Sequence, residues 1–375
     1  MKKNNLYIGI LTGTSMDSID CGIFKFDNEQ YKIISFHENH YPKDIKSKII
    51  NNYKSLKENY KKNPLNKEIA LIYSDIINSV ISKEKINKND INAIGMHGQT
   101  ISHGLFNNEN ISIQLGCPIT LAEMTKIKVV SAFRQNDINN GGEGAPLAPL
   151  FHDYVFKNNK KRVIVNIGGI SNISFLSNNN NNLFGFDSGP GNTLIDSWIK
   201  KKYNLEYDVD GKISSENKCS DELLKIFIND KYFNKNSPKS TSTEYFNQKW
   251  IDAKIKLSVS NFSDGDVLAT LTKLTVISIT NSIKDYCPEC EEIYICGGGA
   301  FNNTIVSQIN YEANKIFLNK VIVDTTNKIS FPPKEVETGL FAWLAMSRIN
   351  EQLLDYSNIT GSKKPSTLGE IYFPK

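Results

Sequence analysis

Cysteine is scarce and scattered in this chain, which has six cysteines among 375 residues. The one close pair, Cys287 and Cys290, forms a CxxC around a proline and a glutamate. A structural zinc site needs about four ligands, and the sequence has no second pair at a suitable spacing. The pattern therefore argues against a metal centre or a redox centre built from cysteine.

A long apolar run and a strong charge of one sign are also missing. No stretch approaches the roughly 20 apolar residues of a transmembrane helix, and the apolar run near the start meets Asp17 and Asp20 too early for a secretory signal. The formal net charge is +4 and the lysines are spread along the chain, so a nucleic-acid partner has no support. We expect a cytoplasmic protein with neither a membrane nor a nucleic-acid partner.

The residues that are present favour two folded domains of the α/β class. Hydrophobic residues make up 39% of the 375 residues, which is enough for real cores and favours two domains over one. The stretches "LYIGILTGTSMDSIDCGIFKF" and "RVIVNIGGISNISFL" each predict a strand, a tight polar turn and a second strand. Helical periodicity follows in "KEIALIYSDIINSVISKEKI" and "DVLATLTKLTVISITNSIKDY". Strands that alternate with helices indicate α/β, and the recurring hairpin suggests two related lobes.

Two polar segments interrupt this pattern. The segment from 204 to 245 is irregular, and we interpret it as an insertion or cap rather than a separate domain. The run Asn178–Asn182 joins two predicted strands and is typical of a solvated turn.

Known nucleotide signatures are absent, yet three glycine-rich tips follow apolar strands. The sequence has neither GxxxxGK[ST] nor GxGxxG after a strand, and it lacks the protein-kinase motifs. The tips are "TGTS" at 12–15, "GGISN" at 168–172 and "CGGGAFN" at 296–302. Backbone N–H groups at such turns can cradle phosphate, and Asp17 and Asp20 are close enough to the first tip to hold Mg²⁺. Each tip could equally be an ordinary turn, but three in one chain favour a nucleotide site.

A second group of polar residues fits a polyol or amide ligand. The stretches "MHGQTISHG" and "AFRQNDINNGGEGAPLAP" mix donors and acceptors, although any one of them could be plain surface polarity. Arg134 suits a ligand carboxylate because its guanidinium can bind one in a bidentate manner. The candidate substrate residues are His97, Gln99, Thr100, Arg134, Asp137 and Glu143.

One carboxylate, Asp187, lies among helix-breaking residues in "LFGFDSGPGN". Asp and Gly both favour turns, so Asp187 could be a simple turn cap. It could also be a catalytic carboxylate held where a ligand approaches a bare backbone. The following "TLIDSWIKKKY" has helical character, which makes "GPGN" a predicted helix entrance.

The ordered set of motifs resembles the anhydro-N-acetylmuramic acid kinases, a branch of the sugar kinase, actin and heat-shock chaperone superfamily. The matching stretches cover nearly the whole chain and are "GTSMDSID", "HGQT", "FRQNDINNGGEGAPLAP", "NIGGISNI", "GFDSGPGN", "ATLTKLT", "CGGGAFN" and "FAWLA". The resemblance implies two actin-like (ribonuclease H-like) lobes with mixed β-sheets and a ligand cleft between them. We expect the first lobe at 1–160 plus 335–375 and the second at 161–334.

The resemblance also implies the reaction and its participants. It implies ATP-dependent phosphorylation of 1,6-anhydro-N-acetylmuramic acid with hydrolytic opening of the anhydro ring, giving N-acetylmuramic acid 6-phosphate in cell-wall recycling. It implies Mg²⁺ and a homodimer. Asp187 corresponds to the catalytic base, and Asp17 and Asp20 are the candidate metal ligands. The candidate nucleotide-binding residues are Gly13, Thr14, Ser15, Met16, Asp17, Ser18, Ile19, Asp20, Gly168, Gly169, Asn172, Gly297, Gly298, Gly299 and Asn302.

Some positions depart from the family pattern and leave alternatives open. The family commonly has Gln where this chain has Glu143, which adds a charge near a proposed carboxylate-bearing substrate. Thr12 and Ser188 are milder changes. Ser18 stands where the family commonly has Gly, and Ser242 replaces a glycine in a run that is usually "KSTG". A kinase for a different sugar is one alternative, motivated by Glu143. A non-catalytic, ATP-driven switch is another, and the residues of "HGQT" and "FRQND" argue against it.

Overall fold

The computed structural model describes residues 5–27, 30–106, 109–176, 183–318 and 320–375. Strands and helices alternate along these ranges, which confirms the α/β prediction. The strands are β1 (Leu6–Thr12), β2 (Ser18–Asp27), β3 (Gln30–His40), β4 (Ile91–Phe106), β5 (Glu109–Leu115), β6 (Val129–Ser131), β7 (Arg162–Ile167), β8 (Ile170–Leu176), β9 (Phe184–Pro190), β10 (Glu292–Cys296), β11 (Ile322–Thr325) and β12 (Glu370–Tyr372).

Amphipathic helices pack against the sheets. The two long stretches with predicted helical periodicity form α3 and α11, as expected. The helices are α1 (Lys43–Asn51), α2 (Tyr53–Asn59), α3 (Pro64–Lys83), α4 (Pro118–Thr125), α5 (Phe133–Asn139), α6 (Ala148–Phe156), α7 (Thr193–Tyr203), α8 (Lys212–Ser215), α9 (Asp221–Ile228), α10 (Gln248–Ile255), α11 (Asp264–Tyr286), α12 (Asn303–Ile316) and α13 (Val336–Ile349).

The chain divides into two compact units. Unit 1 comprises Met1–Val155 and Glu335–Lys375, and unit 2 comprises Phe156–Lys334. That these units act as two functional lobes stays a prediction.

Unit 1 contains a mixed sheet with the strand order β12-β6-β4-β1-β2-β3, and β5 pairs with β4. Strands β1, β2 and β3 are antiparallel neighbours, whereas β4 is parallel to β1. Helix α13 lies directly on β1 and β4. A Cβ added at Gly9 would lie 1.8 Å from the carbonyl oxygen of Thr338, and one at Gly95 would lie 1.9 Å from that of Phe341. Glycine at both positions therefore lets a helix backbone contact a strand backbone.

Unit 2 contains a mixed sheet with the strand order β11-β10-β7-β8-β9. Strand β8 is antiparallel to both β7 and β9, and β10 is parallel to β7. The third, second, first and fourth strands therefore lie side by side in the same order as in unit 1. Both predicted hairpins, β1–β2 and β7–β8, are confirmed.

Two sequence-based expectations about local structure need correction or stay open. The segment from 204 to 245 is not uniformly irregular, because it contains α8 and α9. Ser220 begins α9 by accepting a hydrogen bond from the Leu223 N–H, which is an ordinary N-cap. The run Asn178–Asn182, predicted as a solvated turn, lies outside the described residues. None of the helices in the described ranges has the length and apolar character that crossing a bilayer requires.

Candidate active site

The β1–β2 connection of unit 1 is an exposed, tightly folded tip. The Met16 N–H donates to the Gly13 carbonyl over 3.1 Å, and Met16 has a left-handed backbone with φ of 55°. Gly13, Thr14 and Ser15 are exposed between these two ends. The tip therefore presents backbone and hydroxyl groups to solvent, as a phosphate cradle would, and that role stays a prediction.

The acidic residues after this tip differ in their surroundings. The side chain of Asp17 is 58% exposed, and its Oδ1 lies 3.2 Å from the Lys46 ammonium. Asp20 accepts a hydrogen bond from the Ser18 hydroxyl over 2.9 Å. Ile19 is buried in the core of unit 1, so its side chain is not available to a nucleotide and only its backbone could take part.

In unit 2 the Gly168–Gly169 turn is closed by the "GPGN" stretch. The N–H groups of Gly191 and Asn192 donate to the carbonyls of Gly169 and Gly168, both over 2.9 Å. Thr275 of α11 donates its hydroxyl proton to the Gly191 carbonyl over 2.8 Å. These hydrogen bonds join "GGISN", "GPGN" and "ATLTKLT", which are far apart in sequence, into one packed cluster.

The "CGGGAFN" stretch continues β10 into a short 3-10 helix, Gly298–Phe301. Gly297 has a positive φ of 77° and donates to the Pro333 carbonyl over 3.1 Å. Asn302 caps α12 by accepting a hydrogen bond from the Ile305 N–H over 3.1 Å. The Asn302 side-chain oxygen thus has a structural role, and nucleotide contact at this residue stays a prediction.

The glycines of the three tips and of "GPGN" fall into two groups according to what an added Cβ would meet. At Gly191 it would lie 2.3 Å from the Gly168 carbonyl oxygen, and at Gly297 it would lie 2.3 Å from Asn166 Oδ1. At Gly13, Gly168 and Gly298 the nearest atom lies at 3.7, 3.5 and 3.7 Å. The packing of the described residues therefore leaves room for a side chain at these last three positions, and contact with a nucleotide there stays a prediction.

Asp187 lies within strand β9 and not in a turn, which corrects the turn-cap interpretation. Ser171 of β8 pairs with Gly189, but the next residue, Asn172, pairs with Asp187, so Ser188 is the extra residue of a β-bulge. The Ser188 and Ser171 hydroxyl oxygens are 2.6 Å apart. The bulge, with its buried hydroxyl pair, sets the direction in which Asp187 points.

The segment that follows α9 fixes Asp187 from the open side of β9, which is an edge strand. The Thr241 N–H donates to Asp187 Oδ2 over 2.9 Å, and the Asp187 N–H donates to the Lys239 carbonyl over 3.2 Å. The Tyr232 hydroxyl donates to the Asp187 carbonyl over 2.6 Å. Asp187 itself is only 5% exposed. Asp187 is therefore enclosed and held through both its carboxylate and its backbone.

In the segment that fixes Asp187, a buried lysine, Lys239, lies close to two aromatic rings. Lys239 is buried, and its ammonium lies 5.3 Å from the Phe186 ring centroid and 5.1 Å from that of Tyr232. Burial lowers the pKa of Lys239, as does Lys235, whereas Asp187 and Asp285 act to raise it. Asp187 is thus one of the two carboxylates whose charge acts on the buried Lys239 ammonium.

Polar residues occupy one register row across four strands of unit 2. Cys296 of β10 pairs with Asn166 of β7, Asn166 pairs with Asn172 of β8, and Asn172 pairs with Asp187. Residues directly opposite one another project from the same face of a sheet. The row therefore links the start of the "CGGG" turn to the candidate base.

In unit 1 the structure brings His97 and Arg134 together. The Arg134 Nε–H donates to His97 Nε2 over 3.0 Å, so Nδ1 carries the imidazole proton and donates to the Gly98 carbonyl over 3.1 Å. Burial, reinforced by Arg134, holds the pKa of His97 well below its usual value. Arg134 also donates from Nη1 to the Gly144 carbonyl. The protein therefore uses two of the Arg134 donors. The expectation that the whole guanidinium fork is available to a ligand carboxylate is not met.

Arg134 and Asp137 lie on α5, and Glu143 lies in the loop that follows this helix. Asp137 Oδ2 accepts from the Gly144 N–H and Oδ1 from the Thr360 hydroxyl, both over 2.7 Å. Burial raises the pKa of Asp137, whereas these hydrogen bonds and Arg134 act to lower it and Glu143 acts to raise it. Asp137 therefore ties the loop that contains Glu143 to α5, which carries Arg134.

Gln99 and Thr100 lie inside β4, which continues to Phe106. In the β1–β4 pairing, Ile10 is opposite Met96 and Leu11 is opposite Gly98, so His97 is a bulge residue. Gln99 is buried, and its Oε1 has no hydrogen-bond partner within the described ranges. Substrate contact by Gln99 and Thr100 stays a prediction.

Sequence reasoning did not assign Tyr232, Lys239 or Thr241 to the site, although all three support Asp187. Thr241 is separated from Asp187 by 54 residues, so no local pattern connects them. The only available signal was the "KST" run, which the resemblance marked as typical of the family.

Comparison with known proteins identifies the family. The family model for anhydro-N-acetylmuramic acid kinase matches residues 5–374. The chain belongs to the anhydro-N-acetylmuramic acid kinase family. It is 36% identical over 373 residues to the anhydro-N-acetylmuramic acid kinase of Shewanella pealeana, covering 98% of this chain and 99% of that protein. It is 34% identical over 378 residues to that of Coxiella burnetii, covering 98% and 97%.

A relative from another Shewanella species, also called anhydro-N-acetylmuramic acid kinase, is 37% identical over 375 residues and covers 98% of this chain. The match includes both units and every motif described above. Family membership makes this chain an ATP-dependent carbohydrate kinase.

Proposed function

We propose that this protein phosphorylates 1,6-anhydro-N-acetylmuramic acid with ATP and opens the anhydro ring with water in the same reaction. The product is N-acetylmuramic acid 6-phosphate. The observation that carries the proposal is Asp187: a buried carboxylate in an edge-strand bulge, fixed through Oδ2 by the Thr241 N–H.

The substrate needs a base because it has no free 6-hydroxyl. Its O6 is tied to the anomeric carbon C1, so a simple hydroxyl transfer is not possible. In the proposed reaction a water oxygen attacks C1 and gives one proton to Asp187. The C1–O6 bond breaks, O6 takes the γ-phosphoryl group and ADP leaves. General-base help of this kind is typically worth about 10²- to 10⁴-fold in rate.

We assign sugar recognition to the polar group of unit 1. The neutral His97 fixes Arg134, and together they offer a positioned cation beside the Asp137–Gly144 loop. A guanidinium whose position is fixed in this way brings a positive charge that suits the lactyl carboxylate of a muramic acid. Gln99, with its enclosed Oε1, suits a hydroxyl or amide N–H of the sugar.

We assign ATP to the glycine tips and Mg²⁺ to Asp17 and Asp20. Asp17 is exposed and Asp20 is partly buried. Carboxylate oxygens suit Mg²⁺, which keeps several waters and often takes only one or two carboxylates along with substrate phosphates. No group of three or more His, Cys, Asp or Glu suited to a metal occurs within the described ranges, and such a site does not require one. Mg²⁺ bound there would neutralise the charge of the phosphates.

We further propose a cytoplasmic homodimer that serves cell-wall recycling and amino-sugar catabolism, with no nucleic-acid or membrane partner. The use of ATP, which the cytoplasm supplies, supports the cytoplasmic location. The anhydro sugar as substrate supports a role in cell-wall recycling. Light scattering coupled to gel filtration tests the dimer independently of activity.

The reaction is tested by following both products in ¹⁸O-labelled water. We expect ADP release that depends on the anhydro sugar and a product heavier by one phosphoryl group and one water. At short reaction times the label should lie on the anomeric carbon. Label in a phosphate group would instead show that water attacks ATP, and phosphorylation without added water would contradict the ring opening.

A panel of sugars tests the alternative that Glu143 motivates. Glucose and N-acetylglucosamine should release ADP far more slowly than the anhydro sugar. A clear preference for another sugar would favour the alternative kinase, and ATP consumption that no sugar changes would favour a non-catalytic switch.

A further inference from the structure

Asn172 is the nearest polar neighbour of Asp187 in the strand register. It lies directly opposite Asp187 in the β8–β9 pair, immediately after the bulge. Cβ atoms of opposed residues in an antiparallel pair are about 4.5–5.5 Å apart, so the two side chains share one face of the sheet at close range. The sequence pattern suggested nucleotide binding for Asn172, whereas its register places it beside the base.

The amide oxygen of Asn172 has no hydrogen-bond partner among the described residues and is enclosed. Buried acceptors are nearly always satisfied, so a lasting orphan calls for a donor that the folded chain does not supply. Asn172 as a whole is only partly buried, so the residue borders on space that a ligand can enter. A bound donor next to Asp187 would satisfy the orphan.

The proposed reaction contains such a donor. The attacking water has two protons, and only one goes to Asp187. The second stays on the oxygen, becomes part of the new anomeric hydroxyl, and needs an acceptor while the lone pair points at C1. An acceptor placed next to the base fixes the water in both directions, which is how positioning contributes to rate.

We propose that the Asn172 Oδ1 accepts the retained proton of the attacking water and so orients it between Asn172 and Asp187. The inference rests on the proposed function, because it needs water as the nucleophile. The ligand is a single water molecule, and the C1–O6 cleavage and phosphoryl transfer are as given above.

The first test replaces Asn172 by alanine, which removes the acceptor and keeps Asp187. We expect kcat at saturating ATP and sugar to fall on the order of 10²-fold, with both KM values within about twofold of wild type. A nucleotide ligand would show the reverse split, with a raised KM for ATP and an unchanged kcat, and that result would overturn the proposal.

The second test is Asn172→Asp, which keeps an acceptor and places a second carboxylate opposite Asp187. Two carboxylates at this distance raise the pKa of one of them, so the acidic limb of kcat/KM should move up by about one pH unit or more. Lys239, the cation that interacts with Asp187, is the same in every variant. An acidic limb that does not move would place residue 172 away from the base and overturn the proposal, even if Asn172→Ala is poorly folded.

Gln308→Leu is the matched control. Gln308 of α12 is also partly buried and also has an enclosed amide oxygen without a partner among the described residues. Its loss should leave kcat and the acidic limb unchanged. If wild type does not convert the anhydro sugar, the proposed function fails. If wild type converts it and Asn172→Ala retains kcat within about twofold, far from the expected loss, only the present inference fails.

Discussion

The two sheets share a strand order, but the bulges beside their candidate site residues lie on different strands. In unit 1 a bulge on β4, its fourth strand, places His97 beside Arg134. In unit 2 a bulge on β9, its third strand, places Asp187 opposite Asn172. The first bulge holds a neutral imidazole and a cation, and the second holds a buried carboxylate.

Under the proposed function, the same strand order supports ligand recognition in one unit and proton removal in the other. Bulges redirect side chains without changing strand order, and they are common next to active sites. A fixed donor group suits recognition of a ligand, whereas an enclosed acceptor suits proton removal. We therefore expect changes at the unit 1 bulge to act mainly on KM and changes at the unit 2 bulge mainly on kcat.

The largest effect is expected for Asp187→Asn. The amide oxygen can still accept from the Thr241 N–H, so the melting temperature should change little. The proton acceptor is lost, so kcat should fall by about 10²- to 10⁴-fold while affinity for ATP is nearly kept. Steady-state kinetics, calorimetry with ATP and a melting curve on one preparation provide the check. A folded variant that keeps more than about a tenth of wild-type kcat would remove Asp187 from the role of base.

His97→Phe is the matching change at the other bulge. The ring can stay against Phe341, whose centroid is 4.5 Å from that of His97, but Arg134 loses the acceptor for its Nε–H. We expect the KM for the sugar to rise about tenfold, equivalent to the loss of one charge-assisted hydrogen bond, with kcat nearly kept. A fall in kcat at an unchanged KM would contradict the division of labour.

Gly168→Ala tests the phosphate cradle of unit 2. The new Cβ would lie 3.5 Å from its nearest neighbour, so the fold should be kept. Backbone approach by phosphate would be hindered, and we expect ATP to bind about tenfold more weakly, a cost of roughly 1.4 kcal/mol. Gly95→Ala is a contrasting control, because its Cβ would overlap the Phe341 carbonyl and destabilise unit 1 by about 3 kcal/mol. Unchanged ATP affinity in folded Gly168→Ala would show that the turn does not contact phosphate.

The smallest effect is expected for Tyr232→Phe. The ring keeps its edge-to-face contact with Phe246, and only the hydroxyl that donates to the Asp187 carbonyl is removed. Stability should fall by about 1 kcal/mol, and kcat should fall by a factor smaller than for Asp187→Asn. Chemical denaturation and steady-state kinetics measure both. A kcat loss as large as that of Asp187→Asn would mean that the hydroxyl itself takes part in the reaction.

Sequence patterns predicted the parts of the fold that depend on local periodicity. The hairpins β1–β2 and β7–β8 and the helices α3 and α11 were all visible as alternating or helical apolar spacing. They did not predict the end of β9. Gly189 and Pro190 are typical of a turn, but β9 is an edge strand, where a residue without an N–H is tolerated.

The sequence predicted which residues belong to the candidate site, but it did not predict how they are arranged. Asp187 and His97 were identified by the motifs that contain them, whereas the bulges that orient them depend on pairing with other strands. The support from Tyr232 and Thr241 comes from a segment separated from Asp187 by 45 and 54 residues. Contacts over such separations leave no periodic signal in the chain.

A single-turnover experiment tests the role of Asp187 most directly. Wild type and Asp187→Asn, each in excess over the anhydro sugar and saturated with ATP and Mg²⁺, are quenched at short times and the sugar phosphate is measured. Because binding is complete and product release is not counted, the rate reports the chemical step. We expect the Asp187→Asn rate to be lower by at least about 10²-fold. Equal rates in the two proteins would contradict the claim that the buried carboxylate of unit 2 activates the water.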